Sequence, residues 1–277
     1  MAFFVVLSLK QRRRLFKKIK IKVRTWDNFY LKYKISRSMF FNYLSGRYSI
    51  PLRLFNIWKK IAKFHDQVNI VEKKVYLKKE IKEISLDENL AEIIGVLNGD
   101  GHISKNKKEI CVVGNKHEEE YAKYLRNLLS TKFHIDFNLF FYGNIFKLKG
   151  CSTALSNLLV NNYGLPSGNK LGKLHIPSKI FINKQLLIRY IKGLFDTDGA
   201  FYTRRKNEGV IEISNADKKY LIEVKSALVN LGFTVSLLKN HIAIYKQEEI
   251  KIFFDLIEPA NSKHLKKFIL YNSYMRR

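Results

Sequence analysis

Apolar residues recur at helical spacing in two stretches about a hundred positions apart, and both runs close in the same way. Ile93-Ile94-Gly95-Val96-Leu97-Asn98-Gly99-Asp100-Gly101 and Ile191-Lys192-Gly193-Leu194-Phe195-Asp196-Thr197-Asp198-Gly199 each hold a glycine inside the apolar run and, five residues on, an acidic residue followed by glycine. The acidic-Gly step suits a helix end that turns sharply into a strand. After each run come two strand-like segments across a basic turn, 102–104 with 112–113 and 201–203 with 211–213. Gly114-Asn115 and Ser214-Asn215 end these pairs and lead into helix-period stretches, 118–130 and 217–231. Second strand pairs follow at 134–149 and 233–246, closing on Leu148-Lys149 and Tyr245-Lys246 before another helical run. Asp100/Asp198, Asn115/Asn215 and Lys149/Lys246 stand 98, 100 and 97 residues apart, so the pattern is an internal repeat. Each unit is predicted to be αββαββ plus a closing helix, an α+β architecture.

These patterns divide the chain into residues 1–68, basic, aromatic and read as all-α; a charged connector, 69–84; a first unit, 85–162; a linker, 163–182, carrying Gly164-Leu165-Pro166-Ser167-Gly168 and Ile176-Pro177-Ser178; and a second unit, 183–277, with a basic helical tail. Ser85 and Glu88 fit a capping box before the first motif helix, and Asn183 can cap the second.

Composition narrows the class. Of 277 residues, 46% are hydrophobic, which fits a globular chain. The formal charge is +27, which makes a polyanion, nucleic acid or an acidic membrane surface, the expected partner. Residues 1–85 hold 22 Lys/Arg against 5 Asp/Glu, so the amino-terminal third carries most of the excess. Cys111 and Cys151 lack zinc spacing and read as buried small apolar residues in a reducing compartment. The apolar run Ala2–Leu9 is too short to span a bilayer, and its basic residues follow it, unlike those of a secretory signal. A soluble intracellular protein, of cytoplasm or organelle matrix, is expected.

The motif spacing suggests chemistry. On helices, Gly95 with Gly99 and Gly193 with Thr197 form smooth stripes that let two helices pack closely. Close packing would set Asp100 and Asp198 side by side, where like charges repel and divalent cations relieve the repulsion. A lone acidic-Gly step is ordinarily a helix stop; two copies in matching repeats favour a functional pair. Asp196-Thr197-Asp198-Gly199 is not a calcium loop, because Asn207 stands where the bidentate Glu is needed.

Across about 85–258, and most specifically from Ile176-Pro177 through Asp198-Gly199, the chain resembles the LAGLIDADG homing endonucleases in their single-chain, two-motif form. The resemblance implies two pseudo-symmetric αββαββα units, with motif helices at the interface and sheets forming a saddle along the DNA major groove. It implies Asp100 and Asp198 as metal-binding carboxylates helped by the carbonyls of Gly99 and Thr197, with Mg²⁺ or Mn²⁺ as cofactor. It places Lys149 and Lys246 near the scissile phosphate, and Asn115 and Asn215 as water-orienting groups. Asn98 departs from the motif at its sixth position, where Asp196 matches; that position is not the principal ligand.

Lys105, Lys107 and Lys108 in one unit, and Arg204, Arg205 and Lys206 in the other, sit at hairpin tips suited to phosphates and base edges. Residues 25–64 resemble a Cro/C1-type helix-turn-helix, with Phe40, Tyr43 and Leu44 inward and Arg37, Ser38, Phe41 and Asn42 toward the groove. A plain three-helix bundle is the alternative there, and the local positive charge argues against it. The expected protein is thus a monomeric, metal-dependent, site-specific endonuclease of double-stranded DNA with a long asymmetric target. Its rivals are a non-catalytic DNA-binding regulator, which should have lost a motif carboxylate, and a maturase acting on its host intron RNA.

Overall fold

The computed structural model describes residues 2–23, 25–73, 84–205 and 208–275. The chain divides into two compact units, Met1–Lys79 and Glu80–Arg277.

The first unit contains β1 (Ala2–Val6), α1 (Leu9–Val23), α2 (Trp26–Lys32), α3 (Arg37–Ser45), β2 (Ile50–Pro51), α4 (Leu52–Ala62) and β3 (Asn69–Lys73). The all-α expectation for 1–68 is corrected: β1 is the centre of an antiparallel sheet ordered β2-β1-β3, with Phe4 opposite Pro51 on one side and Val71 on the other. The strand was missed because its partners lie far along the chain, without the hairpin turn that betrays a local pairing. The connector is corrected with it, since 69–73 belongs to this sheet; residues 74–83 lie outside the described residues.

The helices follow local signals more closely. Ser36 caps α3, its Oγ accepting from the Met39 amide at 3.3 Å, and Gly46 ends the helix at φ 87°, a conformation that favours glycine. Phe40 and Tyr43 are buried and Leu44 half-buried, whereas Arg37, Ser38 and Phe41 are exposed and Asn42 half-buried. Phe16, Phe29 and Phe40 pack around Trp58, with ring centroids 5.7, 5.5 and 6.3 Å away.

The second unit runs α5 (Glu88–Asn98), β4 (Gly101–Ile103), β5 (Ile110–Asn115), α6 (Glu119–Phe133), β6 (Asn138–Tyr142), β7 (Ile145–Gly150) and α7 (Thr153–Tyr163). After the short α8 (Ser178–Phe181) come α9 (Lys184–Asp198), β8 (Gly199–Thr203), β9 (Gly209–Ser214), α10 (Lys218–Asn230), β10 (Ser236–Leu237), β11 (His241–Ile244), α11 (Gln247–Ile257) and α12 (Ser262–Met275). The sheets are antiparallel and share one topology, β4-β5-β7-β6 and β8-β9-β11-β10. This is the expected αββαββα repeat, with α12 added at its end.

Strand alternation fixes which face meets the core. In β7, Phe146 and Leu148 are buried beneath the helices, and Lys147 and Lys149 face outward. Nearly every residue of α5 and of the second half of α9 is buried, because each helix packs on both its own αββαββα repeat and the other. Asn183 caps α9 as expected, its Oδ1 accepting from the Gln185 and Leu186 amides at 3.0 and 3.1 Å. The Ser85–Glu88 capping box is corrected: Asp87 caps α5 through a 3.0 Å bond from the Leu90 amide, and Glu88 instead bonds Arg189 Nε at 2.9 Å. Cys111 is buried, but Cys151 is exposed, against expectation. Among the described residues no helix is long and apolar enough to cross a membrane.

Candidate active site

The two motif helices meet at their glycines. A Cβ on Gly95 would lie 2.1 Å from the Tyr190 carbonyl oxygen, and one on Gly193 would lie 2.1 Å from that of Glu92. The second contact repeats the first with the two αββαββα repeats exchanged, so a pseudo-twofold axis passes between α5 and α9. A Cβ on Gly99 would fall 2.0 Å from Thr197 Oγ1 and 3.2 Å from Asp198 Oδ1, so the helix ends stay close where the acidic residues emerge. At Gly95 and Gly193 glycine is required by a neighbour's backbone, and at Gly99 by the Thr197 side chain, with φ playing no part.

Two charges at these ends feel each other. Asp198 is raised to about 6, first by burial and then by the negative charge of Asp100; Asn215, Lys170 and Lys263 act in the opposite sense. Asp100 is raised by loss of hydration and by Glu118, against Lys263 and Lys170. Asn215 Nδ2 donates to Asp198 Oδ2 at 3.0 Å, which fixes the carboxylate's orientation. Asn115, its counterpart, is exposed and accepts from the His117 amide at 3.0 Å through Oδ1.

Lys170 and Lys263 were not among the expected site residues. Each arrives on a segment that follows a closing helix, α7 or α11. Lys170 Nζ donates to the carbonyls of Asn98 and Gly101 at 3.0 and 2.9 Å and also to that of Gly99, placing an ammonium on the negative end of α5. Burial lowers its pKa, while Asp198 and Asp100 oppose that shift. The linker is pinned by Gly172 N to Asp217 Oδ2 at 2.7 Å, by Ile176 N to Glu223 Oε2 at 2.9 Å and by Asn98 Nδ2 to the His175 carbonyl at 3.0 Å.

Lys263 is held by a separate set of contacts. Asp196, fully buried, accepts from the Ala260 and Asn261 amides at 2.9 and 3.0 Å. Asn261 Nδ2 donates to Glu118 Oε2 at 3.1 Å, and Lys263 Nζ lies 3.3 Å from Glu118 Oε1. The sixth-position residues Asn98 and Asp196 therefore each tether a segment that delivers a lysine to the carboxylates. A signal was available in the sequence, a lysine after each closing helix, but its destination depends on contacts across more than sixty residues.

The expected lysines are engaged elsewhere. Lys149 Nζ lies 2.6 Å from Glu109 Oε2, and Lys246 Nζ lies 3.3 Å from Glu249 Oε1 at the start of α11. At the hairpin tips Lys105 and Lys108 are exposed and Lys107 is half-buried. Arg204 and Arg205 are exposed, with the Arg204 guanidinium 5.0 Å from the Tyr245 ring centroid; Lys206 lies outside the described residues.

The donor set suits a hard cation: two carboxylates of raised pKa and backbone oxygens at helix C-termini, all oxygen ligands. Among the described residues no group of three or more His, Cys, Asp or Glu side chains is arranged to hold a metal, so a cation here would rely on the pair and on carbonyls. The Gly99 carbonyl is taken by Lys170, leaving the Thr197 carbonyl as the backbone ligand of the expected set that Lys170 does not engage.

Residues 185–258 match the LAGLIDADG-like domain family. The chain is 28% identical over 175 residues to the ribonucleoside-diphosphate reductase NrdEB subunit alpha of Bacillus subtilis, covering 56% of this chain and 15% of that protein. It is 28% identical over 173 residues to an uncharacterized protein of Methanocaldococcus jannaschii, 57% of this chain and 60% of that one. The replication factor C small subunit of the same organism is 28% identical over 225 residues, 71% of this chain and 12% of the relative. The chain thus spans a small part of the reductase and the replication factor, and the activities those names state belong to those proteins. Among solved structures, the homing endonuclease I-WcaI bound to its DNA recognition sequence aligns with a TM-score of 0.49 at 16% identity, over 69% of this chain and 89% of that one. Mesophilic variants of the homing endonuclease I-DmoI align at 0.46 and 16% identity, over 62% and 96%.

Proposed function

We propose that this chain is a site-specific, divalent-metal-dependent endonuclease of double-stranded DNA, of the LAGLIDADG homing type. The observation that carries the reading is Asp100 beside Asp198 at the ends of two helices in glycine contact, flanked by two lysines and by two sheets of like topology. The family match over 185–258 and the net charge of +27 support it.

Asp100, Asp198 and the Thr197 carbonyl would hold Mg²⁺ or Mn²⁺. A bound cation supplies Lewis-acid polarisation of the phosphate and lowers the pKa of bound water. The protein's own part is electrostatic and geometric. Lys170 and Lys263 both bear electrostatically on the pair, and they would neutralise charge that grows on the phosphoryl oxygens during in-line displacement. Asn215 holds Asp198 in one orientation, so the carboxylate need not reorganise as the reaction proceeds.

The basic turns at 104–109 and 204–205 would meet phosphates, which set register. The exposed Arg37, Ser38 and Phe41 of α3, with Asn42, would read or anchor flanking DNA in a helix-turn-helix manner and lengthen the target. The chain would act as a monomer, since both carboxylates come from one polypeptide.

The test is cleavage of a supercoiled plasmid library carrying random inserts, with Mg²⁺ or EDTA, by the intact chain and by Asp100→Asn and Asp198→Asn. Metal-dependent linearisation of a defined subset of inserts, lost in both variants, is expected. Sequence-selective binding without cutting in any metal would instead identify a regulator.

A further inference from the structure

We infer that the outer face of the β4-β5-β7-β6 sheet reads thymine methyl groups, so that one half of the DNA target is A·T-rich with thymines at fixed positions. The inference rests on the DNA-binding reading above and names the sequence chemistry of one half of the target.

Register defines the face. Phe146 and Leu148 of β7 point into the core, so Ile145, Lys147 and Lys149 point away from it. Residues directly opposite on neighbouring strands share a face: Tyr142 with Ile145, and Phe140 and Val113 with Lys147. Phe140, Tyr142 and Ile145 are 39, 57 and 43% exposed, and the Phe140 and Tyr142 rings stack at 6.0 Å with 26° between planes. An antiparallel sheet that faces only water alternates apolar inside with polar outside. Here three large apolar side chains stand together on the outside, an arrangement that marks a binding surface.

Charge decides the occupant. The same face carries Lys147 and Lys149, each paired with the single Glu109, on a chain of net charge +27. A polyanion satisfies the lysines, and in a duplex major groove the apolar group presented at base edges is the thymine 5-methyl. The second sheet is built differently. Its outer face holds Glu212, whose carboxylate accepts from Tyr202 and Ser214 hydroxyls at 2.9 Å each, with His241 nearby at 3.8 Å. That polar surface suits hydrogen bonding to base edges, so the two halves of the target differ in kind.

The test uses binding alone. The intact chain in Ca²⁺ selects from a random-sequence duplex pool, in parallel with Phe140→Ala/Ile145→Ala, whose exposed positions leave the core untouched; thermal melting checks that both proteins are folded. The expected result is a thymine-rich block in one half of the selected sites, relaxed in the variant while the other half is unchanged. Replacing those thymines by deoxyuridine, which needs no protein variant, should weaken binding about fourfold per methyl lost. Selected sites with no thymine preference in either half, or deoxyuridine duplexes that bind equally well, overturn the inference while leaving the endonuclease reading intact. A dimer of the intact chain that the variant abolishes also overturns it, by showing a second copy on this face. Failure to select any duplex would bring down the DNA-binding reading itself.

Discussion

Gly95 and Tyr190 stand in backbone contact: the glycine's missing side chain leaves just enough room for the Tyr190 carbonyl, which a methyl group would approach to 2.1 Å. Backbone on one helix meets backbone on the other, so neither side can yield by a rotamer change. Gly95→Ala is expected to destabilise the second unit by about 2–3 kcal/mol, lowering its Tm by about 4–12 °C. Gly193→Ala should behave alike because its contact with Glu92 is the symmetric one. Thermal unfolding checks both, and an unchanged Tm in either would show that the helices do not meet there.

A buried ion pair crosses the same interface. Lys192 Nζ lies 3.3 Å from Glu92 Oε2, and Tyr124 OH donates to Glu92 Oε1 at 2.6 Å. Removing one charge strands the other, so Lys192→Met alone should cost about 3–5 kcal/mol, whereas Lys192→Met with Glu92→Leu should recover much of that loss. A double-mutant cycle in denaturant unfolding measures the coupling.

Much of this arrangement could be read from the sequence, and the boundary between legible and hidden is physical. The motif helices, their glycine stripe and the αββαββα repeat are local patterns that recur at a fixed offset, and they fold as written. Asn183 announced its cap because capping is a three-residue event. Strand β1 was hidden because its partners begin more than forty residues away. Asp87 displaced Ser85 as the cap because both can accept the bond and α5 starts two residues later than Ser85 requires. Lys149 and Lys246 occupy matching places in the repeat, but each has a glutamate within reach that draws its ammonium. Lys170 and Lys263 come to the carboxylates on segments held by distant partners, Asn98, Asp217 and Glu223 for the first and Asp196 for the second, which no local pattern encodes.

That difference makes a kinetic prediction. Lys170→Met and Lys263→Met should each reduce the single-turnover cleavage rate by about 10²–10³, with DNA affinity changed far less. Lys149→Met and Lys246→Met should mainly weaken binding and flatten its salt dependence. The opposite partition would return the catalytic role to the strand-end lysines.

Asp198 also predicts a pH dependence. Its carboxyl is raised to about 6, so the folded state binds a proton that the unfolded state, near pH 4, has already released. In EDTA, stability should fall as pH rises between about 4 and 6, and Asp198→Asn should be more stable than the natural sequence at pH 8 by about 1–3 kcal/mol. The gain should vanish below pH 4. Melting curves across pH give the result directly; a variant less stable at pH 8 would contradict the burial and the Asp100 repulsion that raise Asp198.

In the proposed function Asp100 and Asp198 share a divalent cation. Titration of the full chain with Mn²⁺, followed by electron paramagnetic resonance of the free ion, measures this without cleavage. Saturable binding at submillimolar Mn²⁺, strengthened by duplex DNA and lost in Asp100→Asn/Asp198→Asn, is predicted. Binding of equal strength in the natural sequence and the double variant would contradict it.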